Sequence, residues 1–266
     1  MKSATYNINH ITNYTYSSKI EYGINSLRLQ PSNTCSQTIQ CWDIIAPGNL
    51  LQDKDGFGNT CHHFTLFYPT DNLSITACGV ITSYDCFTLP NNNGLHPSFY
   101  LQKFNQTIAT PQMHEFALRA TKNCKTIHEK ALALMDAVYQ YIAYVPKSTN
   151  SETTAGQAYT LRQGVCQDQA HVYLACARSI NMACRYVSGY LFSEFVELSS
   201  HAWVDVAIND NEWISLDITH NRYTNEKYVR LAVGSQYQAI APIKGLQLGG
   251  EAESMNVDIT IRECMV

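Results

Sequence analysis

The chain has 266 residues, of which 45% are hydrophobic and 15% charged, and its net charge is −4. That is enough apolar material for one large domain or two smaller ones, and too little charge for a disordered chain. The negative balance excludes a nucleic-acid backbone as the main partner, and no apolar run reaches the length of a membrane span. Met1–Asn7 lacks the apolar core of an export signal. The ten cysteines are scattered, with no CxxC pair and no zinc-finger spacing, so reduced thiols in a cytoplasm are expected.

The first hundred residues read as β. Tyr6, Ile8 and His10 alternate with polar residues, and Tyr14 and Tyr16 resume the alternation after a break. Strand-like runs follow at Ser26–Leu29, Thr38–Ile45, Thr60–Tyr68 and Leu73–Thr82. Asp53–Asn59 reads as a hairpin turn; its spacing is wrong for an EF-hand calcium loop. Cys61-His62-His63 suggests a metal only superficially, since neighbours on a strand point to opposite faces. Pro90–Gly94 is the most loop-like stretch, and the division into regions is expected between it and Pro111, giving 1–108 and 109–266.

From Pro111 the period changes. Met113, Ala117 and Ala120 mark a first helix; Ile127, Ala131, Leu134, Val138 and Ile142 mark a longer one, closed by Pro146. Ser148–Thr154 is polar, and Thr153 or Thr154 can cap a short helix through Arg162. Gly164 then breaks the pattern, and a helix opens at Cys166 and runs to about Ile180. The period returns to two at Cys184–Phe192, His201–Ile208 and Trp213–Ile218, and again at Met255, Val257, Ile259 and Ile261. Helices followed by an antiparallel sheet make this half α+β.

Cys166 carries the chemical interest. Ala170, Leu174 and Ala177 follow it at i+4, i+8 and i+11, which keeps it on the packed stripe of its helix. The helix start favours a thiolate and a developing oxyanion alike. A nucleophile there needs a base and a group to orient it. His201 opens one strand and Asp217 closes the next. A two- or four-residue loop around Asp210-Asn211 would put them on opposite faces. A five-residue loop pairs Ala207 with Trp213 and makes Asp217 the diagonal neighbour of His201 on one face, about 7–8 Å away. The triad reading therefore requires an odd loop or a bulge. His10, His62, His63, His96, His114, His128, His171 and His220 are the rival bases.

Four segments then carry a resemblance: Gly164-Val165-Cys166-Gln167-Asp168, Arg185–Tyr190, His201–Val206 and Trp213–Asp217. Together with Tyr228–Gly234, Leu27–Pro31 and Asp55–Asn59, they are similar to the bacterial transglutaminase-like cysteine protease family. The resemblance implies a papain-like, transglutaminase-like α+β core behind a β-rich N-terminal domain. It implies a Cys-His-Asp triad at Cys166, His201 and Asp217, acting on amide bonds of a peptide or protein through an acyl-enzyme, with no cofactor. Gln167, Asp168 and Trp203 are the further positions expected to bind substrate or support the triad. Three positions depart from the family: Ile218 replaces the proline after the acid, Asn181–Cys184 replaces a Gly-x-Pro-Ala turn, and Gln169 stands where an aromatic is common. Hydrolysis, amine transfer and a scaffold that keeps the fold without turnover are the three functions left to weigh.

Overall fold

The alternation that begins at Tyr6 does not break where the sequence suggests. In the computed structural model, which describes residues 2–91, 95–193 and 200–264, it forms one strand of 25 residues, β1 (Ser3–Leu27). The buried positions are even-numbered as far as Ile20 and odd-numbered at Gly23, Asn25 and Leu27. This change of parity falls at the register shift between Ile20 and Tyr22, where a bulge re-aims the strand.

Around β1 stand β2 (Gln37–Ile45), β3 (Leu51–Lys54), β4 (Thr60–Leu66) and β5 (Thr70–Tyr84), in the order β2-β5-β1-β4-β3. The short β6 (Thr88–Pro90) leaves this sheet and pairs instead with a strand of the core. The loop expected at Pro90–Gly94 lies, beyond Asn91, outside the described residues.

Four α-helices are found among the described residues: α1 (Pro111–Ala120), α2 (Ile127–Tyr141), α3 (Ala155–Leu161) and α4 (Cys166–Ser179). Their starts follow the capping chemistry of the sequence. Thr126 and Glu129 cap α2 reciprocally, Thr154 and Gln157 do the same for α3, and Thr110 caps α1. Arg162 ends α3 in the left-handed region. Two-residue strands β7 (Ala143–Tyr144) and β8 (Gln163–Gly164) pair side by side just before α4. Helix α4 is buried almost all round, with α1, α2 and α3 about it and two strands of the second sheet beneath.

That sheet holds β9 (Cys184–Leu191), β10 (Ser200–Asn209), β11 (Glu212–Asp217), β12 (Arg222–Tyr223) and β13 (Tyr228–Gly234), in the order β12-β11-β10-β9-β13, with β6 against β11. Leu174, Tyr173 and Ala170 of α4 meet Val204, Val206, Leu216 and Tyr186 in the larger core. The chain then returns. β14 (Ile243–Gly249) and β15 (Glu253–Glu263) both pair with β1. The alternation at Met255–Ile261 thus belongs to the N-terminal sheet, and division of the chain at 108/109 is not a division between sheets.

The two sheets share a second core, in which Ile8, Ile81, Ile259 and Ile261 pack on Tyr190, Val229 and Leu231. Edge strand β13 would leave polar backbone exposed to mispairing. Side chains of the first sheet satisfy it instead. The Gln37 amide donates to the Arg230 carbonyl and accepts from its N–H, both at 2.8 Å. Asn59 does the same at Val233, also at 2.8 Å. Ser83 Oγ donates to the Tyr228 carbonyl at 2.6 Å. No described helix is long and apolar enough to cross a membrane.

Candidate active site

The start of α4 is built by an aspartate. Asp168 folds back so that its Oδ2 accepts from the Val165 N–H at 2.8 Å and from the Thr149 hydroxyl at 2.6 Å. This carboxylate sits where the helix end favours an anion. It also explains Gly164: a Cβ there would lie 2.5 Å from the Asp168 Cβ. Asp168 is 1% exposed, so it holds the Cys166 turn in place and does not meet solvent. Cys166 follows as the first residue of the helix, where backbone N–H groups have no intrahelical partner. Its sulfur opens into a cleft of about 280 Å³ that is also lined by His201, Gln167, Tyr144, Tyr186 and Ser188.

The register of β10 on β11 brings the other two residues together. Ala207 pairs with Trp213, and a bulge follows between Ala207 and Asn209. This is the odd connection that a shared face demands. His201 Nε2 lies 2.8 Å from Asp217 Oδ2, which leaves Nδ1 for Cys166. Burial opposes the charged ring, yet the Asp217 carboxylate, its hydrogen bond and Cys166 on the other side push the His201 pKa up to about 10. Burial works against the Asp217 anion too, but His201 and His220 hold it well below the usual carboxylate range. The thiol thus faces a base that holds a proton strongly once it has taken one.

Asp217 has more partners than the sequence reading supplied. His220 Nδ1 approaches Oδ2 at 2.7 Å, the His220 N–H donates to Oδ1 at 3.3 Å, and the Tyr228 hydroxyl donates to Oδ2 at 2.6 Å. Arg222 Nε in turn donates to the Tyr228 oxygen at 3.0 Å. His220 lies three residues past the acid, in the turn out of β11. That short spacing is a usable signal; the Tyr228 contact depends on strands β9 to β13 closing into one sheet. His201, Asp217 and His220 also place one metal-ligand atom each within 4.8 Å. Asp217 Oδ2 already receives three hydrogen bonds, so this cluster is satisfied as a network of its own.

The remaining positions separate. Gln167 lines the cleft and donates from Nε2 to the Ser151 carbonyl at 3.2 Å. Trp203 does not line it; of the two roles expected for it, substrate contact or support of the triad, its position fits the second. It is 1% exposed, lies against Gly189, and stacks 6.1 Å from the His201 ring. Strand alternation puts it on the inner face, where a Cβ at Gly189 would come 2.6 Å from its ring. It backs the histidine. Trp213 is likewise fully buried. Of the rival bases, His171 is fully buried and accepts from the Tyr237 N–H at 3.1 Å, and His10 is bound to Tyr190 at 2.7 Å. Tyr144, Tyr186 and Ser188, which line the cleft, were not distinguished by sequence reasoning. Tyr186 and Ser188 are among the buried residues of β9, and only the packing of α4 on that strand brings them to the sulfur.

Comparison with known proteins agrees with this architecture. Residues 114–218 match the family model of the transglutaminase-like superfamily, and residues 6–82 match that of the bacterial transglutaminase-like N-terminal region. An uncharacterized protein of Mycobacterium leprae is 27% identical over 271 residues, covering 95% of this chain and 96% of its own length. One from Mycobacterium tuberculosis is 24% identical over 292 residues, covering 96% and 91%. A solved structure of a candidate cysteine protease from Cytophaga hutchinsonii superposes with a TM-score of 0.82 at 20% identity, over 100% of this chain and 92% of that one. At that identity the likeness shows the fold.

Proposed function

We propose, for a chain that belongs to the transglutaminase-like superfamily, that it is a cysteine hydrolase cleaving amide or isopeptide bonds of a peptide or protein. The observation that carries the reading is the convergence of Cys166 and His201 on one cleft with Asp217 buried behind the ring. His201 Nδ1 takes the proton of Cys166. The thiolate attacks the acyl carbon, and the negative charge that forms on the carbonyl oxygen is met by the Cys166 N–H at the helix start. As the tetrahedral centre collapses, His201 gives its proton to the departing amine and a thioester remains. Water, deprotonated by His201, then releases the acid and restores the thiol. Asp217 keeps Nε2 engaged and Nδ1 turned to the sulfur. No step calls for a metal or cofactor.

The same thioester could be resolved by an amine, giving transfer instead of hydrolysis. We place the activity in the cytoplasm, the compartment that suits ten scattered cysteines with no CxxC pair. The test is a thiol-directed activity probe with a peptide library, run beside Cys166→Ala. Labelling and cleavage should vanish in the variant, with a loss of at least ~10⁴-fold in rate. Product masses, with and without an added primary amine, separate hydrolysis from transfer. Labelling that persists in Cys166→Ala, or product formed by it, sinks the assignment.

A further inference from the structure

Two thiols meet far from the cleft. Cys35 sits in the turn that enters β2, and Cys86 in the connection from β5 to β6. The residues are 51 apart in sequence, yet their sulfurs lie 3.5 Å from one another. Both also lie within hydrogen-bonding distance of one acceptor, the Thr88 carbonyl, at 3.3 Å for Cys35 and 3.2 Å for Cys86. No other pair of cysteines is in hydrogen-bonding contact among the described residues. Cys35 is exposed and Cys86 partly so, which leaves a path for a small reagent.

The backbone holds the two in place. The Tyr84 N–H donates to the Ser36 carbonyl at 2.9 Å, and the Ser215 N–H donates to the Phe87 carbonyl at 2.8 Å. Phe87 packs on Tyr223 with ring centroids 4.2 Å apart and the rings tilted by 33°. Cys86 thus stands where the first sheet hands the chain to the edge of the second, one residue from a hydrogen bond to the strand that carries Asp217.

We propose that Cys35 and Cys86 form an intramolecular disulfide on exposure to a small-molecule disulfide such as oxidised glutathione. One thiolate attacks the oxidant, takes one sulfur in a mixed disulfide, and releases one thiol. The second cysteine, losing its own proton, attacks the protein sulfur of that mixed disulfide and releases the second thiol. Two protein thiols are oxidised, one disulfide is reduced to two thiols, and the chain becomes about 2 Da lighter, the mass of two hydrogens. Burial first, and Cys86 beside it, push the Cys35 thiol up to about 11, so exchange accelerates at alkaline pH. The bond ties the turn into β2 to the start of the core across a long loop, the case in which a cross-link restrains the unfolded chain most.

The experiment uses the full chain carrying Cys166→Ala, so that the cleft thiol does not consume oxidant. It is treated with oxidised glutathione at mildly alkaline pH, alkylated, digested without reduction and mapped by mass spectrometry. A linked Cys35–Cys86 peptide should be the main disulfide within the chain, and the melting temperature should rise by several degrees. In a Cys86→Ser version, Cys35 should instead accumulate as the glutathione adduct, and the rise should vanish. The proposal is overturned if both residues are recovered alkylated after exposed Cys41 has been fully converted, or if glutathione accumulates on either of the pair without the link forming.

Discussion

Two buried aspartates stand on one face of one sheet and have been given opposite company. Asp205 on β10 accepts from Arg185 Nε at 2.8 Å, from Arg230 Nη1 and Nη2 at 2.7 and 2.9 Å, and from Ser215 Oγ at 2.5 Å. Asp217 on β11 has His201, His220 and Tyr228. Both carboxylates are fully buried. Asp205 pairs with Ser215 across the strands, so Asp217 is one diagonal step away. Guanidinium groups do not lose their protons, so the Asp205 cluster is a fixed clamp. Burial is outweighed there by Arg230 and Arg185, which hold its pKa at about 2. Imidazoles exchange protons, so the Asp217 cluster can steer a proton between groups. Burial and charge are common to both, and the titratable partner is what turns a clamp into a candidate catalytic device.

Exchanging each acid for its amide tests that contrast most strongly. Asp217→Asn should lower the catalytic rate by about 10⁴-fold, because an amide no longer holds the imidazole in its working tautomer. Circular dichroism should show the fold retained. Asp205→Asn should act on stability instead, leaving two buried guanidinium groups without their carboxylate at a cost of about 3–5 kcal/mol. For a chain of this size that is a melting temperature lower by roughly 10 °C. Activity per folded molecule should change little. A Asp205→Asn protein that melts normally but has lost its rate would break the distinction.

A smaller effect follows from pH. His201 is raised above its ordinary 6.5, so it stabilises the fold fully below that pH and loses the contribution as pH rises toward 10. Asp205 and Asp217 are depressed below 3.8, so their contributions are present above that value and are lost in acid. Melting temperature against pH should therefore carry an alkaline decline from the Asp217 cluster and an acid decline from both. In His201→Gln the decline between pH 6.5 and 10 should flatten, and on the acid side the Asp217 share should shrink while that of Asp205 remains. An unchanged alkaline slope would remove the histidine from the account. The smallest expected change is Tyr228→Phe, which deletes one hydrogen bond to Asp217 and should cost about tenfold in rate, near 1.4 kcal/mol. A loss as large as that of Asp217→Asn would make Tyr228 a principal and not a supporting partner.

Much of this was legible in local pattern. Thr154 and Gly164 mark where two of the helices begin, and the cap geometry follows the residue types. The parity of positions along β10 and β11 makes a shared face for His201 and Asp217 conditional on one odd connection, and the register of the two strands supplies it. Trp203 shows the limit of the same reasoning. Alternation gives its face, but whether that face meets solvent depends on β9, β13 and the N-terminal sheet beyond them. The membership of β15 shows it again: Met255–Ile261 is plainly a strand, and nothing within it names β1 as the partner.

Sequence by itself determined where the helix bearing the Cys166 sulfur begins and, by alternation, the parity of His201 and Asp217 along their own strands. These are properties of neighbours in the chain, set by sterics and by hydrogen bonds over a few residues. Tertiary structure alone decided that Asp217 would be held by Tyr228 and His201 while Asp205, one diagonal step away, was closed off by two arginines. Contacts of that kind form between strands that meet only when the sheet closes, and a short stretch of chain carries no record of what will be folded against it.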